Sequence, residues 1–439
     1  MSAGIPGRAA AIGTSLWKAV NPPPTAAVAL RERLSTDVLI IGAGVAGLSL
    51  GLHLGERKAD LVVLEADEDA NSATGSSAGI IAPQLVRTTP HAVLKRLGRE
   101  VGARVLRLIA ESGHYTFGLI DRWGIECGAT RAGFLNPVRG KPAAAAHAQL
   151  VEEWLPYRDD LRLIDGDEVQ SLSGCHGYSA GIIDSSGGGL DPLAYCRGLA
   201  RAVRAGGAPV HYGSRVLSLE RVQDRWIAHT ASGEVAAQRV VLCANGGNAA
   251  LHPALAQTVL PLPVCEVATR PLDAHMREKI LPYGHTLTDT STDVFSIRYD
   301  RDGRLITACP GRSKIDYAQI NDFINRRLAA MIPEYRTTPL EYVWQGTAWL
   351  NSSLLPRVLR VDDGLLAVQA CNGRGIGLNT LIGRELGRWL VSPMDEAPLV
   401  PMESPKPVPG FMFARYLPGL MMVGAAIAKR TLERFGRRT

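Results

Sequence analysis

The stretch from Asp37 to Glu65 constrains the fold more than any other part of the sequence. It reads DVLIIGAGVAGLSLGLHLGERKADLVVLE: an apolar run, glycines in GxGxxG spacing, a helical stretch and a second apolar run that ends in an acidic residue. Two buried parallel strands joined by a helix need this order of segments, with a tight turn after the first strand. The sequence therefore predicts a dinucleotide-binding βαβ unit within an α/β fold.

The glycines of this motif are Gly42, Gly44 and Gly47. The first permits the tight turn, the second lets the backbone approach a pyrophosphate, and the third lets the helix pack closely on the strand. The helix N-terminus adds free N–H groups for the phosphates. Glu65, which Ala66 follows, is placed to accept hydrogen bonds from ribose hydroxyls and to repel a 2′-phosphate, which favours FAD or NAD over NADP.

The composition of the 439 residues is typical of a globular protein with two or three domains, since 46% are hydrophobic and 21% are charged. No apolar run is long enough to span a membrane and no secretory signal is visible, which predicts a cytoplasmic protein. The seven cysteines are scattered, without CxxC, so we expect buried thiols and no metal site. The net charge of +6 is concentrated in the C-terminal tail, and we expect no nucleic-acid partner.

The hydrophobic pattern divides the chain into interleaved segments. Helical periodicity covers about 91–123 and 192–205, and strand patterns occupy about 210–246 and 260–350. These patterns predict a discontinuous cofactor domain and a substrate domain built on an antiparallel sheet, followed by a C-terminal extension. The predicted bounds are 30–90, 190–260 and 355–392 for the cofactor domain, 91–189 and 261–354 for the substrate domain, and 393–439 for the extension.

Four segments in order carry a family resemblance: DVLIIGAGVAGLSLGLHLGERKADLVVLEA, SATGSSAGIIAPQ, RVVLCANGG and NGRGIGLNTLIG. With them the chain resembles the D-amino-acid-oxidase-like family of FAD-dependent amine oxidoreductases over about residues 15–435. The resemblance implies a Rossmann-like FAD-binding domain. It also implies oxidation of a C–N bond to an imine, with hydride transfer to flavin N5.

The resemblance also implies a set of cofactor contacts. In relatives the second segment wraps the pyrophosphate and approaches the isoalloxazine, and a valine contacts adenine through its backbone. The last glycine-rich turn stabilises negative charge on the reduced flavin. Here these positions, with those of the third segment, are Ser72, Thr74, Gly75, Ser76, Ser77, Gly79, Val216, Asn245, Gly246, Gly373, Gly375, Ile376 and Gly377. Relatives that bind FAD covalently use a cysteine near 346–356 or a histidine near the second segment. Neither is present here, which predicts non-covalent FAD.

Two arginines are candidates for binding a substrate carboxylate, because a planar guanidinium binds both oxygens. Arg298 matches an arginine that begins a hairpin strand over the flavin, although an arginine on a surface hairpin is commonly just solvated. Arg374 stands where amine-oxidising relatives often carry histidine. Together with Tyr299 as a pocket wall, they predict oxidation of a small amino acid or secondary amine, with L-pipecolate or a proline-like compound favoured.

Alternatives to this substrate class stay open. A γ-glutamylputrescine-type amine oxidoreductase is similar in its N-terminal LWKAVNPPP and in its tail. Two alternatives of another class are an FAD-dependent tRNA-modification protein and a redox-inactive FAD-binding subunit. The electron acceptor is oxygen or a quinone.

The tail, residues 411–439, places an apolar cluster beside a basic one that contains Lys429, Arg430, Arg434, Arg437 and Arg438. One interpretation is peripheral contact with the cytoplasmic face of the inner membrane, because about a dozen apolar residues suit the interface rather than a span. The other is a terminal helix that packs on the body or at a dimer contact.

Overall fold

A computed structural model describes residues 10–22, 28–69, 73–311, 314–369, 372–392, 398–422 and 424. Its helices are α1 (Leu16–Val20), α2 (Val45–Gly55), α3 (Pro90–Leu97), α4 (Arg99–Arg122), α5 (Lys141–Trp154), α6 (Gly166–Ser173), α7 (Pro192–Ala205), α8 (Ala274–Lys279), α9 (Tyr317–Met331), α10 (Gly375–Val391) and α11 (Phe411–Ala414). Its strands are β1 (Ala11–Ile12), β2 (Arg33–Ile41), β3 (Leu61–Leu64), β4 (Ile80–Ile81), β5 (Phe134–Val138), β6 (Leu161–Asp165), β7 (Ala180–Asp184), β8 (Gly188–Gly189), β9 (Val210–His211), β10 (Ser218–Val222), β11 (Arg225–His229), β12 (Glu234–Leu242), β13 (Leu260–Pro271), β14 (Thr286–Thr288), β15 (Ser296–Tyr299), β16 (Arg304–Pro310), β17 (Leu340–Leu350), β18 (Val358–Asp362), β19 (Leu365–Val368) and β20 (Met402–Glu403).

The first large sheet is Rossmann-like. Its strands follow the order β20-β18-β19-β12-β2-β3-β9, and the five from β19 to β9 run parallel. Ile40 pairs with Val63 on one side and with Val241 on the other, and all three side chains are completely buried. Continuous apolar strands of this kind are typical of a parallel sheet covered on both faces. The predicted βαβ unit is thus β2, α2 and β3, at the centre of the sheet.

The second large sheet follows the order β1-β17-β13-β16-β15-β14-β5-β7-β6. It is mainly antiparallel, as predicted, but β1 pairs with β17 and β14 pairs with β5 in parallel. The two-residue strand β1 and the short β14 carry too few residues for a periodic sequence pattern. These parallel pairs could therefore not be predicted from the sequence.

The two faces of the second sheet pack against different parts of the molecule. Along β13, Cys265 and Val267 join an apolar core with Ile320 and Ile324 of α9. Ala268, on the other face, belongs to the core shared with the first sheet. Because successive side chains of a strand alternate between faces, the position of a residue along β13 or β15 decides whether it points to α9 or to the cofactor-binding half.

The long helical pattern near 91–123 forms two helices instead of one. They meet at Gly98, whose φ of 78° is in the left-handed region that glycine adopts without strain. The second of them, α4, contacts α10, and α10 in turn packs along α2.

In the described part of the chain no helix combines the length and the apolar character needed to cross a membrane. The tail is helical at 411–414 and again at 417–422. Its basic cluster lies outside the described residues.

Candidate active site

A cleft of about 340 Å³ opens at the carboxyl ends of the parallel strands. Predicted contacts form much of its wall: Gly42, Gly44, Glu65, Ala66, Thr74, Val216 and Asn245. Ligands of open α/β sheets bind at this edge, where helix N-termini and strand ends meet. The structure therefore brings the βαβ motif, the second segment and the third segment together in one cleft.

The βαβ glycines are required by close backbone contacts. Gly42 has φ 112°, and a Cβ there would lie 2.8 Å from the backbone of Cys243. A Cβ on Gly47 would lie 1.9 Å from the carbonyl oxygen of Gly42. Gly47 thus lets α2 pack against the turn, while Gly44, at the N-cap of α2, leaves the helix N-terminus open to the cleft.

Glu65 is fixed at the end of β3 by the turn that it faces. Its Oε2 accepts a 2.6 Å hydrogen bond from Ala43 N, and its Oε1 accepts one of 3.2 Å from Asp67 N. Burial raises the pKa of Glu65, and the backbone N–H groups oppose that shift. Each oxygen keeps a second lone pair for a ribose hydroxyl, so the acidic position, the open helix end and the glycine cradle fit the adenosine diphosphate half of FAD.

The loop after the cleft carries the second predicted segment to the other sheet. Ser77 Oγ donates to Thr74 O, which closes a turn that buries Gly75. Ser76 O accepts from Trp344 Nε1 of β17, and Ser77 O accepts from Trp17 Nε1 of α1. The predicted contact Ser72 lies outside the described residues.

Arg298 lies at the far end of this loop, and its contacts differ from the prediction of a free carboxylate ligand. Its Nη1 donates to the carbonyl oxygens of Ala78, Gly79 and Leu190 at 3.1, 2.6 and 2.7 Å, and its Nε donates to Tyr299 O. Burial lowers the pKa of Arg298 to about 10. The guanidinium is engaged by the main chain, so Arg298 positions the loop beneath β15 and is neither a solvated surface group nor an open fork.

The contacts of Arg298 with the loop depend on the close approach of the Gly79 backbone to Leu190 and to the Arg298 side chain. Gly79 has φ 75°, and a Cβ there would lie 2.1 Å from Leu190 O and 2.5 Å from Arg298 Nη1. Gly79 is therefore required for the Arg298 contacts, apart from any contact with a cofactor.

Arg374 is the N-cap residue of α10 and is half-buried. Its Nη1 donates to Leu85 O at 2.9 Å, and its guanidinium lies 5.7 Å from the centre of the Phe134 ring of β5. Burial lowers the pKa of Arg374 to about 10, and Asp184 opposes that shift. Arg374 therefore joins the start of α10 to the second sheet, and within the described residues its guanidinium donates one hydrogen bond, to Leu85 O.

The remaining residues of this turn surround the helix start. Gly373 is exposed, Gly375 begins α10, and Ile376 and Gly377 are buried in its first turn. A Cβ on Gly377 would lie 3.2 Å from Ser112 O of α4. None of these four residues lines the cleft described above.

Tyr299 requires a correction. It follows Arg298 on β15 and so points to the opposite face, where it packs with the core beneath α9. Its hydroxyl is buried, and burial raises its pKa. The predicted pocket-wall role for Tyr299 was wrong, because strand alternation directs the side chain away from the cofactor-binding half.

Gly246 lies beside an aromatic wall of the cleft. A Cβ on Gly246 would lie 2.1 Å from the ring of Trp349, a residue that lines the cleft. The preceding Asn245 has φ 52°, a left-handed conformation that asparagine tolerates better than most residues. The third segment thus provides room for Trp349 as well as a cleft wall.

Sequence reasoning missed several residues at this site. Gln369 and Asn379 line the cleft. Asn379 lies within the fourth segment but was not chosen as a contact, and no motif covers Gln369. Glu266 was also missed: it is buried on β13, its Oε2 has no hydrogen-bond partner within the described residues, and burial raises its pKa to about 8. The available signal was an acidic residue inside the apolar run VCEVA.

Known proteins are similar to large parts of this chain. Gamma-glutamylputrescine oxidoreductase of Escherichia coli (strain K12) is 27% identical over 370 residues, which are 82% of this chain and 85% of that protein. The tRNA 5-methylaminomethyl-2-thiouridine biosynthesis bifunctional protein MnmC of Shewanella amazonensis is 27% identical over 207 residues, or 47% of this chain and 29% of that protein. In fold, the L-proline dehydrogenase from P. horikoshii matches with a TM-score of 0.71 at 14% identity, covering 84% of this chain and 96% of that one.

The family model described as DAO, FAD dependent oxidoreductase, matches residues 37–389. That range contains nearly all of the βαβ unit and of α10, and both large sheets except for the edge strands β1 and β20. The chain belongs to this family of FAD-dependent oxidoreductases, and FAD is its cofactor.

Proposed function

We propose that this chain oxidises the C–N bond of an amine that also carries a carboxylate group. The observation that carries the proposal is Arg374, a half-buried cation that joins the start of α10 to the second sheet. In this family FAD supplies the chemistry by accepting a hydride from the carbon beside the nitrogen. The protein's part is to orient the substrate and exclude water.

Arg374→Gln tests the carboxylate contact. We expect the variant to keep bound FAD and to raise KM for a carboxylate-bearing amine by about tenfold or more, because a charge-assisted contact contributes about 1.5 to 3 kcal/mol. Steady-state kinetics with the same amine lacking the carboxylate is the internal comparison, since its KM should hardly change. Equal effects on both substrates would contradict the proposal.

Two substrates fit this description. An L-pipecolate or proline-like amino acid has its carboxylate beside the nitrogen, and γ-glutamylputrescine has it at the far end. The relative from Escherichia coli supports the second, because it matches most of both chains. Faster flavin reduction by γ-glutamylputrescine than by L-pipecolate or L-proline would select it.

The two alternatives of another class, a tRNA-modification protein and a redox-inactive subunit, have less support. The match to the tRNA-modification protein covers 29% of that protein, so most of its length has no counterpart here. A redox-inactive FAD-binding subunit predicts flavin that no amine reduces, and the same assay separates it.

We further propose that the tail contacts an anionic membrane surface. Between residues 411 and 421 six large apolar side chains are exposed, of which Phe413 is 82% and Leu420 is 64% exposed. An exposed apolar cluster of this kind is typical of an interaction site. The basic residues that follow in sequence from Lys429 favour anionic headgroups over a second copy of this chain. A quinone is then the accessible electron acceptor, with oxygen as the alternative.

Flotation with phosphatidylcholine vesicles, with and without 30% phosphatidylserine (roughly the charge of an anionic leaflet), tests this contact. We expect binding to the anionic vesicles alone, and its loss in the double variant Phe413→Ser, Leu420→Ser. Tyr283→Ser is the matched control, because Tyr283 is also exposed but lies elsewhere. If the protein does not float with the vesicles but sediments as a dimer, and the double variant sediments as a monomer, the exposed apolar cluster binds a second copy of this chain and not a membrane.

A further inference from the structure

Glu266 is a buried carboxyl group that the packing of the fold does not explain. Its cross-strand neighbours are Ala308 of β16 and Trp344 of β17. It is about 9% exposed, and its Oε2 lacks a hydrogen-bond partner in the described ranges. A buried polar atom without a partner costs about 1 to 3 kcal/mol. Such a cost at the centre of a sheet points to a ligand that completes the site.

The neighbouring strands show what Glu266 faces. Trp344 Nε1 donates to Ser76 O, and Arg298 of β15 donates to Gly79 O. The loop from Ser76 to Gly79 therefore crosses the sheet from β17 to β15. In the sheet order β13 and β16 lie between those two strands. Glu266 and its direct cross-strand neighbour Trp344 lie on the same face of the sheet, which is the face that the loop covers. Glu266 therefore points to the middle of this loop.

The electrostatic surroundings make Glu266 a stronger base than an ordinary carboxylate. Burial raises its pKa to about 8, Cys309 of β16 acts in the same direction, and Arg298 of β15 opposes it. These two are the titratable or charged groups that act on it from the strands packed around it. An exposed glutamate titrates near pH ~4.3.

We propose that Glu266 takes the proton from the ammonium group of the substrate, an inference that rests on the proposed amine oxidation. An alkyl ammonium has a pKa of about 10 and reaches the site protonated at neutral pH. Its nitrogen needs a free electron pair before the neighbouring C–H bond breaks. One N–H bond breaks and an O–H bond forms at a carboxylate oxygen of Glu266. FAD, when bound, would accept the hydride, and the proton on Glu266 leaves to solvent after the imine departs.

The test is the pH dependence of kred/Kd for anaerobic flavin reduction, in the wild type and in Glu266→Gln. The substrate is whichever of γ-glutamylputrescine, putrescine, sarcosine, L-proline or L-pipecolate reduces the wild type fastest. The wild type reacts from ionised Glu266 with the protonated amine, so its kred/Kd rises up to pH about 8 and then levels off. The variant needs the neutral amine and should keep rising to pH about 10. The ratio of the wild-type kred/Kd to that of the variant is thus constant below pH about 8. Between pH about 8 and about 10 it falls about tenfold per pH unit.

A second readout needs no turnover. An analogue of the same amine in which methyl groups replace every hydrogen on the carbon that is oxidised has no hydride to lose. Its 1/Kd, measured from the perturbed flavin spectrum, should follow the same two profiles. Glu278→Gln is the control for loss of a carboxylate, because Glu278 is exposed on α8. It should match the wild type at every pH.

The possible outcomes separate this inference from the proposed function. A wild-type flavin that none of the amines reduces removes the proposed function and this inference with it. A reducible wild type whose ratio to the variant is the same at every pH gives Glu266 only a structural role, and overturns this inference alone. If Glu266→Gln does not fold, a wild-type profile that rises without a break to pH about 10 overturns it equally.

Discussion

At the scale of single residues, the two candidate arginines have different surroundings that their sequence contexts do not reveal. Arg298 is buried and donates to main-chain oxygens of Gly79 and Leu190, whereas Arg374 is half-buried with one such bond to Leu85. A hairpin arginine looks solvated in sequence because the loop that covers it lies over 200 positions away. Motif residues of the βαβ unit could be predicted because their partners are local. Arg298 and Glu266 depend on distant partners and could not.

Arg298→Ala should destabilise the protein and weaken FAD binding, because it leaves the carbonyl oxygens of Gly79 and Leu190 without their donor. We expect a loss of about 2 to 4 kcal/mol in the free energy of unfolding, together with easier release of FAD. Urea unfolding and flavin fluorescence measure the two effects. Arg360→Ala is the matched control, since Arg360 is exposed and stacks on Trp389. An Arg298→Ala protein with unchanged stability and a raised KM would restore the carboxylate role.

At the scale of elements, the glycine-rich segments have two structural roles. Gly42 and Gly47 permit backbone to approach backbone, which the GxGxxG spacing predicts. Gly246 makes room for an aromatic ring from β17, a strand about 100 positions later. The sequence predicted the third segment as a cofactor contact, but its contact with Trp349 requires the three-dimensional path of β17. The parallel strand pairs of the second sheet could not be predicted from the sequence either, because strands of two or three residues are too short to show a hydrophobic period.

Gly246→Ala should lower FAD affinity, because its Cβ would overlap the Trp349 ring that lines the cleft. We expect about a tenfold weaker Kd for FAD, measured by reconstitution of the apoprotein. Gly118→Ala should have little effect, because Gly118 is exposed on α4, away from the cleft, and a Cβ there meets nothing within 4 Å. Adding Trp349→Ala to Gly246→Ala should restore part of the loss in a double-mutant cycle. Equal effects of the two alanine variants would refute the steric account.

At the scale of the whole molecule, the cofactor half is assembled from separate parts of the chain. Its sheet takes strands from 33–64, 210–242 and 358–403, and the second sheet takes strands from 11–12, 134–184 and 260–350. The interleaving was predictable in part, because β12 and β19 contain continuous apolar runs that are typical of buried parallel strands. The site between the sheets was predictable only in its nucleotide half. Its substrate half depends on which face of each strand meets the loop at Ser76–Gly79.

Non-covalent binding of FAD stays a prediction for the whole molecule, and one measurement checks it. Residues 346–356 contain no cysteine to attach the flavin, so acid precipitation should leave the yellow colour in the supernatant. Colour that stays with the precipitate would mean a covalent link. The peptide that carries it would then identify the residue.

Electron transfer from an amine to FAD is the reaction on which the proposed function depends. Its most direct test is anaerobic bleaching of the bound flavin against L- and D-amino acids, L-proline, L-pipecolate, sarcosine, putrescine and γ-glutamylputrescine. We expect bleaching by an amine that carries a carboxylate, and slower bleaching by the same amine without the carboxylate. A flavin that stays oxidised with every member of the panel would contradict the claim.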